Sequence, residues 1–285
     1  MMVLAVLFAV LGAVSNATGT AFQRKAASTL PGGGGVRLLR ALARRPAWAI
    51  GIAGVAGAAV FQALALVNGP MALVQPLFML ELPFALLIAV PLLHRRPSPQ
   101  GWRAIAVVVA GLALLLGSAA PSGGREQASM QRWIPALALT VGAIVGIVLL
   151  ERSSTSPLFR AAALASGAAV GNALTAALMK SATGRLADKG LPAFLTTWQT
   201  YGFALAGIAA LLLLENALQA GPLVASQPAL TIGDAAVSLL LGVVLFDESV
   251  RTGWWLLPEV AGAGLIAWGV VQLTRVVPHL SDVVH

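Results

Sequence analysis

Reading the chain by its apolar and polar positions gives nine continuous apolar runs. They fall at about 2–23, 47–67, 70–93, 102–119, 133–150, 158–180, 192–214, 222–246 and 253–274, separated by charges, prolines and glycine clusters. None alternates with a period of two, so the pattern predicts helices rather than strands. At 1.5 Å rise per residue, each is long enough to cross about 30 Å of hydrocarbon. The expected fold class is therefore all-α: a polytopic membrane protein of about nine transmembrane helices. The run from Met1 to Ala17 lacks a basic leader segment and is read as the first membrane helix, not a removed signal peptide.

Composition supports this reading. Of 285 residues, 58% are apolar and only 10% charged, against about 25% charged in an ordinary soluble domain. Too few polar groups are available to coat a water-soluble globule, and the mean hydropathy is +0.88. The absence of cysteine removes thiol catalysis, thiolate metal sites and disulfides.

The net charge of +8 would suggest nucleic acid in a soluble domain, but here the basic residues fall in the loops. Twelve of the 18 lie on one side of the zigzag, among them Arg24, Lys25, Arg37, Arg40, Arg44, Arg45, Arg95, Arg96 and Arg275. The other side has six, including Arg125, Arg132 and Lys180. This bias predicts the N-terminus outside and the C-terminus in the cytoplasm, in a plasma (inner) membrane, with no nucleic-acid partner. Within loop 24–46, Arg37, Arg40 and Arg44 share one helical face with Leu38, Leu39 and Leu42 opposite, which predicts a short interfacial amphipathic helix.

The two halves of the chain resemble each other. Gly69-Pro70 and Gln75-Pro76 recur as Gly221-Pro222 and Gln227-Pro228 at an offset of 152, which also carries Gly101-Trp102 onto Gly253-Trp254. Ala13-Val14-Ser15-Asn16-Ala17 resembles Ala169-Val170-Gly171-Asn172-Ala173 at an offset of 156, and Arg24 then falls on Lys180. Runs 1–4 thus match runs 6–9, and a shift of five spans inverts the second unit. The expected organisation is a first repeat over 1–119 and a second over 120–285, the latter including the unpaired fifth run. Inverted repeats are typical of secondary transporters, which bind substrate near the midplane between them.

Together, Ser15–Lys25, Phe61–Glu81, Gly167–Lys180 and Leu245-Phe246-Asp247-Glu248 followed by Gly253 make the chain similar to the drug/metabolite transporter superfamily. The repeats resemble the EamA type, and the nine-helix layout resembles the NIPA-like magnesium transporter branch. The chain departs from the family pattern at His94-Arg95-Arg96, where an acidic residue is usual. The resemblance implies membrane transport and raises Mg²⁺ as a substrate; no residue role is carried over from it.

Polar side chains inside the apolar runs mark the candidate site. Glu81 and Asp234 fall at the midpoints of the third and eighth runs, at nearly equivalent positions of the two repeats. A charge at the bilayer centre costs about 2.5–3.5 kcal/mol on insertion scales. No Lys or Arg lies deep in any run, so each carboxyl is expected to be protonated, hydrated in a cavity or matched by a bound cation. Gln227, Thr231, Asp234 and Ser238 fall within about 60° of one helical face, and Asn16, Thr20 and Gln23 form a shorter stripe. Asn172 and Glu259 complete the candidates for binding a solute or ion, and Glu81 with Asp234 those for a metal. For Asn16 and Asn172, hydrogen bonding between helices is an equal reading. Pro76 and Pro228 interrupt their helices and are candidate hinges, while Gly51, Gly54, Gly57, Gly142, Gly146, Gly167 and Gly171 allow close helix packing.

Enzymatic readings fit poorly. His94, His279 and His285 lie at membrane edges or in the tail, Thr231-Ile232-Gly233-Asp234 lacks the first glycine and second aspartate of an aspartyl intramembrane protease, and no phosphate-binding loop is present. The expected activity is secondary transport of a small cationic or neutral solute such as Mg²⁺, with no resident cofactor. A proton-coupled drug or metabolite exporter and a non-transporting membrane scaffold are the alternatives, and a homodimer is compatible with the sequence.

Overall fold

The computed structural model describes residues 2–28, 45–92 and 98–276. Ten α-helices make nine apolar spans among the described residues. They are α1 (Met2–Ser28), α2 (Pro46–Asn68), α3 (Met71–Phe78), α4 (Glu81–Leu92), α5 (Pro99–Ala119), α6 (Met130–Arg152), α7 (Pro157–Thr196), α8 (Trp198–Ala220), α9 (Leu223–Phe246) and α10 (Leu256–Val276). A two-residue ladder, β1 (Ser122–Gly123) with β2 (Glu248–Ser249), ties the loop after α5 to the loop after α9. The basic loop after Ser28, with its expected amphipathic helix, and His94-Arg95-Arg96 lie outside the described residues.

Large apolar side chains point outward, as lipid requires: Leu139, Leu205 and Val260 are all mostly exposed. Inside, the faces along which α1 and α7 pack are lined by small residues, while larger side chains such as Leu66, Met71 and Ile266 fill the core. In α1, alanines at 5, 9, 13, 17 and 21 are all buried, and in α7 so are those at 161, 165, 169, 173 and 177. A four-residue spacing keeps each set on one face, and small side chains let neighbouring backbones approach. The helices α1 and α2 pack along their length, as do α7 and α8, and α5 and α10. Where α5 crosses α10, Gly111 faces Gly262 closely enough that an added Cβ on either would press on the other's carbonyl.

The third span is two helices rather than one. Pro83 has no N–H to offer the Met79 carbonyl, so that carbonyl takes the Leu82 N–H at 3.2 Å, and Leu80 reaches back only to Leu77 at 3.1 Å. The helix tightens and stops at Met79–Leu80, and Glu81 opens the next one. The sixth span also departs from expectation. Residues 181–189 continue α7 as helix past the predicted end at Lys180, because nothing in Ser181–Lys189 stops a helix until Gly190 takes φ 78°. Only glycine enters that backbone region without strain.

Candidate functional site

One end of the bundle carries the corner Gly69-Pro70 and the other the corner Gly221-Pro222. Between them, the predicted midplane residues fall into two separate groups.

In the first group, Glu81 begins α4 at the break in the third span. The Asn16 side-chain amide donates to its Oε2 at 2.7 Å, joining α1 to the break in the third span. Of the two readings for Asn16, this arrangement is the interhelical hydrogen bond. The rest of the first stripe turns to the protein itself. Thr20 donates to the Ala17 carbonyl at 3.1 Å, and the Gln23 stem packs over Gly51. Ser15 donates to the Gly54 carbonyl at 2.8 Å and so fastens α1 to α2.

In the second group, the stripe on α9 shares its face with the buried Leu241 and Leu245 and so points inward. Thr231 donates to the Gln227 carbonyl at 2.8 Å, and Ser238 donates to Asp234 Oδ1 at 3.2 Å. Asp234 is partly buried, while Thr231 and Ser238 are buried. Asn172 on α7 makes no hydrogen bond to a described residue. Glu259 on α10 has a buried Oε1 without a hydrogen-bond partner among the described residues. The two expected hinges differ: Pro76 precedes the break in the third span, whereas Pro228 sits inside an unbroken α9. Among the described residues, no three His, Asp or Glu side chains gather as a metal site.

A third group was not foreseen. At the Gly69 end, Lys180 and Glu248 form a buried ion pair with Nζ 2.5 Å from Oε1, their side chains 5% and 0% exposed. The Glu248 carboxylate also accepts the first two amides of α3, Met71 N–H at 2.6 Å and Ala72 N–H at 2.9 Å. Lys180 Nζ donates to the Gly69 carbonyl at 3.3 Å and lies 4.9 Å from the centre of the Phe246 ring. Lys180 closes the predicted sixth run, so this buried pair lies at an end of the bundle and not deep in a run. Gly242 makes room for the carboxylate, since a Cβ there would collide with Glu248 Oε2. Around the pair, the fully buried Trp133 meets Trp198 edge-on at 5.2 Å and Phe246 at 6.4 Å.

Lys180 and Glu248 are 68 residues apart, and each looks like an ordinary boundary charge in sequence. The register that places Arg24 opposite Lys180 marked the lysine as part of the repeat but gave no partner for it. Beside the pair, Asp247 caps α9 in the left-handed conformation, with Arg125 Nε at 3.0 Å and Arg132 Nη1 at 2.5 Å. The hydrogen bond from Arg132, with the two positive charges, holds its carboxyl below the usual carboxylate range.

Nine apolar helical spans among the described residues, each long enough to cross a bilayer, define a multi-pass α-helical membrane protein. The chain is similar to an uncharacterized protein of Corynebacterium glutamicum. The two are 29% identical over 288 aligned residues, covering 98% of this chain and 94% of that one. No protein-family model matches the chain, and no solved structure matches it.

Proposed function

We propose that the protein is a secondary transporter of the drug/metabolite type, moving a small cationic or neutral solute across the plasma membrane without ATP, with Mg²⁺ a candidate. The observation that carries this reading is Glu81 at the break between α3 and α4, held by Asn16 from α1. A helix interrupted in mid-membrane at an acid is how transporters expose backbone and carboxylate groups to a solute. The inward-facing stripe around Asp234 supplies a second acidic position, which favours a cation or a proton-coupled neutral solute over an anion.

The reading includes two inverted repeats of four spans joined through α6, with the N-terminus outside. Several equivalences support it. The alanine stripe of α1 maps onto that of α7 at the single offset of 156. Gly69 lies against Ala5 as Gly221 lies against Ala161, and Gly19 meets Val55 where Thr175 meets Gly207. Pro70 and Pro222 cap their helices with nearly the same backbone, φ −67°, ψ 142° and φ −70°, ψ 147°. In this orientation the Lys180–Glu248 pair closes the outer end. Alternating access then requires the corner at Gly69, α7 around Lys180 and the loop after α9 to separate there.

Flux into proteoliposomes tests the proposal, using Mg²⁺ and a panel of organic cations with and without a pH gradient. Uptake is expected for at least one of them, strongly reduced by Asp234→Asn, reduced by Glu81→Gln, and unchanged by Leu240→Ala, which alters a lipid-facing side chain. No flux under any imposed gradient would leave the scaffold reading. Wild-type flux in both amide variants across a range of pH would make the acids structural.

A further inference from the structure

A cavity of about 460 Å³ opens at the Gly221 end between the last turn of α6, the first turns of α7 and the last turns of α8. Its lining includes Glu151, Arg152, Arg160, Asn216, Gln219 and Leu213. We propose that it holds the headgroup of an anionic glycerophospholipid from the surrounding bilayer. The proposal does not depend on transport.

The position comes first. All three helices are membrane spans, and the cavity sits where they end, which is the level of lipid phosphates rather than of the bilayer core. Leu149, Leu150, Leu158 and Leu212, on the same stretches of these helices, are all more than half exposed, so lipid covers the surface beside the cavity. A lipid of the surrounding bilayer presents its phosphate at this level already.

The charges fit a phosphodiester. Glu151 is nearly buried and accepts from Arg160 Nε at 2.5 Å, which cancels its charge and fixes the guanidinium in the cavity wall. Arg160 keeps its terminal nitrogens as donors. Arg152 makes no ion pair among the described residues, so the lining carries one uncompensated positive charge. Guanidinium groups match phosphate oxygens in pairs. The amides of Asn216 and Gln219 lie on the opposite wall, with Asn216 already donating to the Leu212 carbonyl at 2.6 Å and Gln219 free to meet the glycerol hydroxyls. Val148, Leu164 and Leu213 complete the wall and suit the first acyl carbons. A zwitterionic lipid matches less well, because its ammonium would face Arg152 while Glu151 is occupied.

The test is native mass spectrometry of the full chain released from detergent, with phosphatidylglycerol, phosphatidylethanolamine or phosphatidylcholine of identical acyl chains, and with inorganic phosphate as competitor. Phosphatidylglycerol is expected to be retained preferentially, and millimolar phosphate should not displace it. Arg152→Gln leaves the Glu151–Arg160 pair intact and should lower that retention about fivefold, the effect of one basic side chain near an anionic surface. Leu213→Trp should lower it without changing any charge, by filling the cavity. Arg275→Gln, an exposed basic residue at the end of α10, should leave it unchanged. Equal retention of all three lipids, displacement by phosphate, or undiminished phosphatidylglycerol retention in both Arg152→Gln and Leu213→Trp would overturn the proposal.

Discussion

The third and eighth spans begin alike and end differently. Both enter through a Gly-Pro corner with nearly the same backbone, both carry Gln-Pro one turn further on, and both reach an acid near the middle. Yet the third breaks at Met79–Leu80 and the eighth runs unbroken from Leu223 to Phe246. The shared proline is not the cause, since Pro228 is accommodated within α9. Pro83 is, because the eighth span has Ala235 at the matching position and keeps its hydrogen-bond ladder. The entrances differ too. The first amides of α3 rest on the carboxylate of Glu248, whereas those of Leu223 and Val224 make no hydrogen bond to a described residue. A repeated motif thus fixes where a span starts, and non-repeated residues decide whether it bends and what holds it.

Substitutions that equalise the two spans probe this difference. The largest effect is expected from Lys180→Met, which leaves the Glu248 carboxylate buried without its counter-charge and should cost about 3–5 kcal/mol. Thermal unfolding in detergent, followed by tryptophan fluorescence, measures it. A loss below 1 kcal/mol would mean that the amides of Met71 and Ala72 alone neutralise the carboxylate.

Ala235→Pro would give the eighth span the proline of the third, at a cost of about 3 kcal/mol. Its converse, Pro83→Ala, should restore the missing hydrogen bond and join α3 to α4. Hydrogen exchange over residues 79–84 should then slow, while flux falls if the break serves transport. Unchanged exchange would assign the break to packing around Leu80 rather than to the proline.

A smaller effect is expected for Gly242→Ala, whose methyl displaces the Glu248 carboxylate from the α3 amides. Overpacking of this kind costs about 1–3 kcal/mol, and the same unfolding assay should rank it below Lys180→Met.

The smallest effect concerns the far end of α9. Because Arg132 and Arg125 lower the folded-state pKa of Asp247, their contribution is complete above the unfolded carboxylate pKa. It fades as pH falls through the lowered folded value. The group is exposed and screened, so Asp247→Asn should shift the midpoint only slightly at neutral pH and not at all in strong acid. A larger shift in acid than at neutral pH would contradict the assigned ion pairs.

Much of the architecture was legible along the chain because a bilayer imposes a one-dimensional rule. A segment that crosses hydrocarbon must be long, apolar and internally hydrogen-bonded, and all nine spans satisfy that locally. The two candidate acids and the inward stripe on α9 were legible for the same reason, since a carboxyl among apolar neighbours stands out. The true length of α7 was not, because a buried run was equated with a whole helix. Ser181–Lys189 is polar yet helical; its first turn is buried beside the loop after α5, where Gln127 donates to the Ser181 carbonyl at 2.8 Å, and its last turn is exposed.

What the sequence by itself determined was the set of membrane spans, the inward stripe of α9 and the candidate acids, since each follows from neighbours within a few turns of one helix. The tertiary structure alone decided which charges meet. Asn16 finds Glu81 across 65 residues and Lys180 finds Glu248 across 68. In each case desolvation drives a polar group to whichever partner the packing brings within 3 Å, and that partner is set by how the helices cross rather than by anything written beside it in the chain.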